Sequence, residues 1–116
     1  MTLMRLTIGV VAAALVLAAT ALASPTATSV TVTAGKPSEL HFTLSKTSVP
    51  AGVVTFRVTN KGKSTHDFKI SGKKTKLLAA GKSATLRVTL KKGKAAFLCT
   101  VPGHAAAGMK GTVTVK

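Results

Sequence analysis

The stretch Val53-Val54-Thr55-Phe56-Arg57-Val58-Thr59-Asn60 alternates apolar and polar side chains from Val54 onward. A period of two residues places alternate side chains on opposite faces of a β-strand. The same period recurs on both sides of this stretch. The other alternating apolar sets are Val30 and Val32; Leu40, Phe42 and Leu44; Phe68 and Ile70; Leu86, Val88 and Leu90; and Val113 and Val115. The pattern predicts a series of short strands, and no helix is indicated after residue 23.

Turns rich in Gly, Pro and Lys separate the predicted strands. They fall at residues 35–37, 50–52, 61–63, 72–73, 81–82 and 92–94. Such residues favour tight turns because Gly accepts positive φ and Pro fixes its own φ. Seven or eight short strands with this spacing predict an all-β fold, an antiparallel Greek-key sandwich or barrel.

The N-terminus has the pattern of a signal peptide. Arg5 precedes an apolar run over residues 6–17, and Ala21-Leu22-Ala23 fits the small-x-small cleavage pattern. We therefore predict a signal peptide over residues 1–23, a flexible lead-in over 24–28 and one domain over 29–116, exported to the periplasm or the cell exterior. The alternative is an uncleaved membrane anchor, because the apolar stretch approaches the ~18 residues that a span requires.

The chain is strongly cationic. It carries 17 Lys and Arg residues against two acidic residues, Glu39 and Asp67, which gives a formal charge of +15. Nucleic-acid binding is disfavoured, because export would separate the chain from nucleic acid and because there is no Tyr or Trp on which bases could stack. We expect a monomer with an anionic protein partner, and an anionic membrane surface is a further candidate. A surface adapted only for solubility is the simpler alternative.

Four potential metal donors stand out near the C-terminal end. Cys99, His104 and Met109 follow one another at intervals of five residues, and His66 lies upstream. Two imidazoles and a thiolate with a weak axial thioether are the donors of a redox-active copper site. Taken singly, the Cys and Met are more simply explained as core residues, and each His as a surface or capping residue. His41 is out of phase with its apolar neighbours, so we expect it to face solvent.

The segment from residue 50 to the C-terminus resembles the cupredoxins, the blue-copper proteins such as plastocyanin and azurin. The resemblance lies in Pro50-Ala51-Gly52 with the following strand to Asn60, in Thr65-His66-Asp67-Phe68, and in residues 97–115. It implies one type 1 copper ion held by His66, Cys99, His104 and Met109. The four residues between the Cys and the second His make this loop azurin-like in length, whereas Gly108-Met109 before Gly111-Thr112-Val113 is plastocyanin-like.

Three further residues are predicted to support the ligands. We expect Thr100 to hydrogen-bond to Asp67, the residue after the first His, and Asn60 to tie the two ligand-bearing loops together. An apolar collar is expected around His104, the ligand that tends to reach the surface in blue-copper proteins. Its members would be Val101, Pro102, Ala105, Ala106 and Ala107.

The predicted function is single-electron transfer between redox partners, with an anionic redox protein as partner. A dinuclear copper centre would require a second Cys, and a structural zinc site normally uses two or more. Four protein donors around the metal leave no place for a substrate, so we predict that the protein is not an enzyme. Two alternatives remain: an exported copper carrier or tolerance protein that uses the same ligands without a redox partner, and a metal-free interaction module.

Overall fold

The computed structural model describes Gly9 and residues 27–116 of the chain. The predicted signal peptide, apart from Gly9, and positions 24–26 of the predicted lead-in lie outside the described residues. No helix in the described part of the chain is long and apolar enough to cross a membrane. The strands described are β1 Thr28–Ala34, β2 Phe42–Leu44, β3 Ser48–Val49, β4 Gly52–Asn60, β5 Lys69–Ile70, β6 Lys73–Lys74, β7 Ser83–Leu90, β8 Gly93–Leu98 and β9 Lys110–Val115.

The strands form two sheets that pack face to face. One sheet has the order β2-β1-β4-β7 and the other β3-β9-β8-β5-β6. The predicted all-β sandwich is therefore confirmed, although the sheets are mixed, since β1 pairs with β4 and β3 with β9 in parallel. The parallel pair arises because the chain crosses to the second sheet at β3 before it returns beside β1, and parallel neighbours require such a crossover.

The alternating residues that predicted the strands fill the space between the sheets. In β4 the side chains of Val54, Phe56 and Val58 are buried, whereas Arg57 between them is exposed. Val113 and Val115 of the opposite sheet belong to the same core. Burial of apolar surface on both inner faces is thus what holds the two sheets together.

All four Phe residues of the chain meet in one cluster around Phe68. Its ring centroid lies 5.4 Å from that of Phe42, 5.2 Å from that of Phe56 and 5.4 Å from that of Phe97. These separations are typical of favourable aromatic pairs. Because Phe68 follows His66 by two residues, the cluster fixes the chain next to the first predicted ligand.

We predict that Phe68→Ala lowers the free energy of unfolding of the metal-free protein by about 3–5 kcal/mol, because a fully buried ring is removed from the centre of the core. Chemical denaturation measures the change. Val53→Ala is the control, since this side chain is 45% exposed in β4 and its loss should cost less than about 1 kcal/mol. Equal losses for the two variants would contradict the central position of Phe68.

Candidate metal centre

Three of the four predicted donors converge at one end of the sandwich. The Nδ1 atoms of His66 and His104 lie 3.2 Å apart, and the Sγ of Cys99 lies 3.9 Å from the first and 3.6 Å from the second. His66 and Cys99 are buried, and His104 is partly exposed. The two histidines are 38 residues apart in sequence, so the convergence is a product of the fold.

The spacing of these donor atoms fits a metal ion. A point equidistant from three atoms with these separations lies about 2.1 Å from each, close to the ~2.0–2.1 Å of a metal–imidazole bond and slightly short of the ~2.3 Å of a metal–thiolate bond. Two imidazoles and one thiolate in a triangle suit copper better than the harder cations, which prefer oxygen. The donor set and its geometry therefore fit the copper ion that the sequence predicts.

Met109 lies beside this triangle in the interior. Its side chain is fully buried and packs in a small cluster with Cys99 and Ala34, against which Leu40 and Val101 also pack. Its backbone is tied to both other ligands of the loop: Met109 N–H donates to the carbonyl of His104 at 3.0 Å, and Cys99 N–H donates to the carbonyl of Met109 at 3.1 Å. The thioether is thus held next to the thiol, as an axial donor requires.

His66 is fixed by a β-bridge outside the regular strands. Its N–H donates to the carbonyl of Leu78 at 3.1 Å, and Leu78 N–H donates back at 2.7 Å. Both residues are fully buried. The two backbone hydrogen bonds fix the main chain at His66, and complete burial of the side chain restricts its ring.

Asp67 joins the His66 segment to the loop that carries the other donors. One carboxylate oxygen of the buried Asp67 accepts the N–H of Thr100 at 2.6 Å, and the other accepts its hydroxyl. The contact between these two positions is therefore the one expected from the sequence. Since Thr100 follows Cys99 directly, the pair fixes the thiol relative to His66.

Asn60 makes other hydrogen bonds than those expected from the sequence. Its amide nitrogen donates to the carbonyls of Ser64 at 2.7 Å and Leu78 at 2.8 Å, and its oxygen accepts the N–H of Gly62 at 2.9 Å. Asn60 thus closes the turn after β4 and links it to the bridge partner of His66. Its recorded hydrogen bonds do not reach the Cys99 loop, because Asp67 makes that connection instead.

Glu39 is a residue of the site that sequence reasoning missed. Its carboxylate lies 2.9 Å from Nε2 of His66, on the side of the ring opposite the donor triangle. The backbone N–H groups of Lys63 and Ser64 also donate to it and, with His66, hold the pKa of the carboxyl at about 2. The available signal was compositional, since Glu39 is one of only two acidic residues in the chain.

Burial governs the chemistry of the thiol. Removal from water raises the pKa of the Cys99 thiol above its usual value, and the negative charge of Asp67 acts in the same direction. The metal-free protein therefore keeps the thiol protonated, and a bound metal must displace that proton.

The surface around His104 is apolar and open. Its ring is half-buried, and Pro102, Ala106 and Ala107 beside it in the sequence are exposed. No Lys, Arg, Asp or Glu occurs between Cys99 and Met109. The predicted collar is therefore uncharged, and His41 lies outside the donor cluster as an exposed residue hydrogen-bonded to Ser38.

Solved structures of auracyanins and of rusticyanin share this fold. The dithionite-reduced auracyanin of Roseiflexus castenholzii has a TM-score of 0.67 at 24% sequence identity, covering 78% of this chain and 98% of that one. Auracyanin B has a TM-score of 0.69 at 27% identity, with 78% and 89% covered. Rusticyanin of Thiobacillus ferrooxidans has 0.67 at 23% identity, with 76% of each chain covered.

Sequence comparison gives the family directly. No curated protein sequence matches the chain. Residues 24–116, however, match the family described as copper binding proteins, plastocyanin/azurin family. The match spans the whole sandwich, and the chain therefore belongs to this family of cupredoxins, with His66, Cys99, His104 and Met109 positioned as a type 1 copper site.

Proposed function

We propose that this protein is an exported blue-copper protein that carries single electrons between redox partners. The observation that carries the proposal is the convergence of the Cys99 thiol and two imidazole nitrogens within 3.9 Å of one another, beside a buried thioether. Export rests on the N-terminal sequence pattern. Copper, when bound, supplies the one-electron chemistry by alternating between Cu(I) and Cu(II).

The protein's contribution is to hold the donors in one arrangement. Backbone hydrogen bonds fix His66, and the bonds between Asp67 and Thr100 fix Cys99, whether or not the oxidation state changes. Side chains that do not move between the two states reduce the reorganisation that accompanies each electron. The buried thioether of Met109 excludes water from one side of the site.

His104 is the point at which we expect a partner to approach. It is the only one of the four ligands that is partly exposed, and the loop residues on either side of it carry no charge. A partner that covers this apolar surface would lie in contact with a ligand. Desolvation of such a contact is inexpensive because few polar groups must lose water there.

A second feature of the same end favours an anionic partner. A groove of about 510 Å³ lies beside the loop. Its lining includes Lys74, Lys76 and the exposed Leu77, Val101 and Pro102 of the loop, and the polar residues Thr65, Asp67, Thr75 and Thr100, of which Asp67 and Thr75 are buried. Leu77 is 62% exposed. In the described residues the only other large apolar side chain that is exposed is Val53, at 45%. An apolar contact flanked by lysines suits a partner with an apolar centre and acidic surroundings.

The first prediction from the proposed function concerns the metal. Purified protein given Cu(II) should turn intensely blue or green through a thiolate-to-copper charge-transfer band. Cys99→Ser should abolish the band and leave the sandwich folded, because the core does not depend on the metal. Absorption spectroscopy and circular dichroism check both statements. A colourless complex, or an unchanged band in the variant, would contradict the assignment of the thiol.

The second prediction concerns the axial donor. Met109→Gln should lower the reduction potential, because a harder oxygen donor favours Cu(II) over Cu(I). Met109→Leu is the matched control, since it removes the donor but keeps the site dry, and it should hold or raise the potential. Voltammetry measures both. A Gln variant with an unchanged or higher potential would remove Met109 from the ligand set.

The third prediction concerns charge. Electron-transfer rates with an anionic partner should fall as salt rises and the Debye length shrinks from about 30 Å at 0.01 M to about 10 Å at 0.1 M. Rates with a cationic reagent should rise over the same range. Reversal of Lys73, Lys74 and Lys76 to Glu should weaken the salt dependence without a change in the spectrum.

The chain offers a matched control for this charge reversal. Lys91 and Lys92 directly precede β8 and Lys94 is its second residue, whereas Cys99 follows the other end of the strand. Reversal of these three changes the net charge equally at the far end of the sandwich, and we expect a smaller effect on rate. Stopped-flow measurements over a salt series compare the variants. Electron-transfer rates that are independent of salt with every reagent would show that the lysines serve solubility alone.

The copper-carrier alternative differs in kinetics. An electron carrier should show fast electron self-exchange and should retain copper in the presence of a chelating protein. A copper carrier should show slow self-exchange and should release copper to such a protein. Both measurements use the same copper-loaded sample.

A further inference from the structure

Glu39 makes more contacts than a surface carboxylate normally does. Both of its oxygens accept the N–H of Lys63, at 3.0 and 2.9 Å, and Oε1 also accepts the N–H of Ser64 at 2.7 Å. The same Oε1 lies 2.9 Å from Nε2 of His66. The carboxylate therefore connects the segment between β1 and β2, the turn after β4, and the first copper ligand.

The backbone around Glu39 is shaped to accept this carboxylate. A Cβ on Gly62 would lie 2.7 Å from both carboxylate oxygens and 2.9 Å from Cδ. A Cβ on Gly35 would overlap the backbone of Gly62, and Gly35 also has a φ of +85°, which side chains rarely adopt. Gly62 cannot carry a side chain while Glu39 stays in place, and Gly35 cannot carry one while the backbone of Gly62 stays in place.

The pairing of Glu39 is unexpected for its charge environment. The chain has 17 Lys and Arg residues, yet none of those that the structure describes pairs with the Glu39 carboxylate, which instead lies against Nε2 of His66. The carboxylate thus faces the ligand ring, although lysines are abundant. Its chemistry at that position is defined: an acceptor at Nε2 keeps the proton on that nitrogen and leaves Nδ1 free as a metal donor.

We propose that Glu39 is a positioning residue of the copper centre, holding His66 in the tautomer that directs Nδ1 at Cys99 and His104 and favouring Cu(II) through its negative charge. The proposal rests on the proposed function, since it assigns a role toward the same metal. Outer partners of this kind typically change metal affinity by about 10–100-fold when they are removed. A role confined to closing the turn after β4 would alter stability alone.

The test is Glu39→Gln in the copper-loaded full-length protein. Gln keeps the size and one oxygen acceptor but loses the charge. We expect a higher reduction potential, a Cu(II) affinity about 10–100-fold weaker and an altered electron paramagnetic resonance spectrum of the Cu(II) form. An unchanged potential and spectrum in a folded, blue variant would overturn the proposal.

Lys63→Gln is the matched control. It changes the local charge by one unit in the opposite sense while its backbone N–H still donates to Glu39. We expect a small decrease in potential and an unchanged Cu(II) spectrum. If the two variants gave shifts of equal size and opposite sign with both spectra unchanged, only distant charge would be acting and positioning would be overturned.

A measurement on the unmodified protein tests the proposal even if the Glu39 variant does not fold. In the diamagnetic Cu(I) form, the Nε2 proton of His66 should give a nuclear magnetic resonance signal protected from exchange with water, because the carboxylate holds it. Absence of this proton would overturn the proposal. A protein that gives no blue complex at all would overturn the proposed function as well, whereas a blue protein without the protected proton would overturn only the role of Glu39.

Discussion

The metal centre depends above all on the hydrogen bonds from Thr100 to the buried carboxylate of Asp67. They join two segments that are 33 residues apart, one ending at His66 and the other beginning at Cys99. Loss of this link would leave a buried carboxylate and a backbone N–H without partners, which costs more than an ordinary hydrogen bond contributes. Because both segments lie at the same end of the sandwich, this pair limits the distance between the thiol and the imidazole.

Rigid neighbouring elements fix the positions of the other parts of the site. The aromatic cluster around Phe68 fixes the strand after His66, and the bridge to Leu78 fixes His66 itself. Backbone bonds within the C-terminal loop set the path from His104 to Met109. The donors are therefore held by contacts within the protein, a condition that favours fast electron transfer because little needs to move.

The acidic residues of this molecule are concentrated at the metal centre. Its two acidic side chains, Glu39 and Asp67, both lie at the metal centre, and each is held by hydrogen bonds to a ligand or to the residue beside one. The remaining charged side chains of the chain are Lys and Arg. In the function that we propose, the positive exterior would serve long-range attraction of an anionic partner, and the apolar surface at His104 would serve close contact.

The sequence by itself determined the strand periodicity, the all-β class and the four donors, because alternation and ligand chemistry are local properties that need no contact map. It also indicated the pairing of Asp67 with Thr100, as a contact expected to support the ligands. Only the tertiary structure decided the parallel pairing of β1 with β4, the hydrogen bond of Asn60 to Leu78 and the contact of Glu39 with His66. Each of these joins residues whose proximity follows from the crossing of the chain between sheets, and no local pattern records such a crossing.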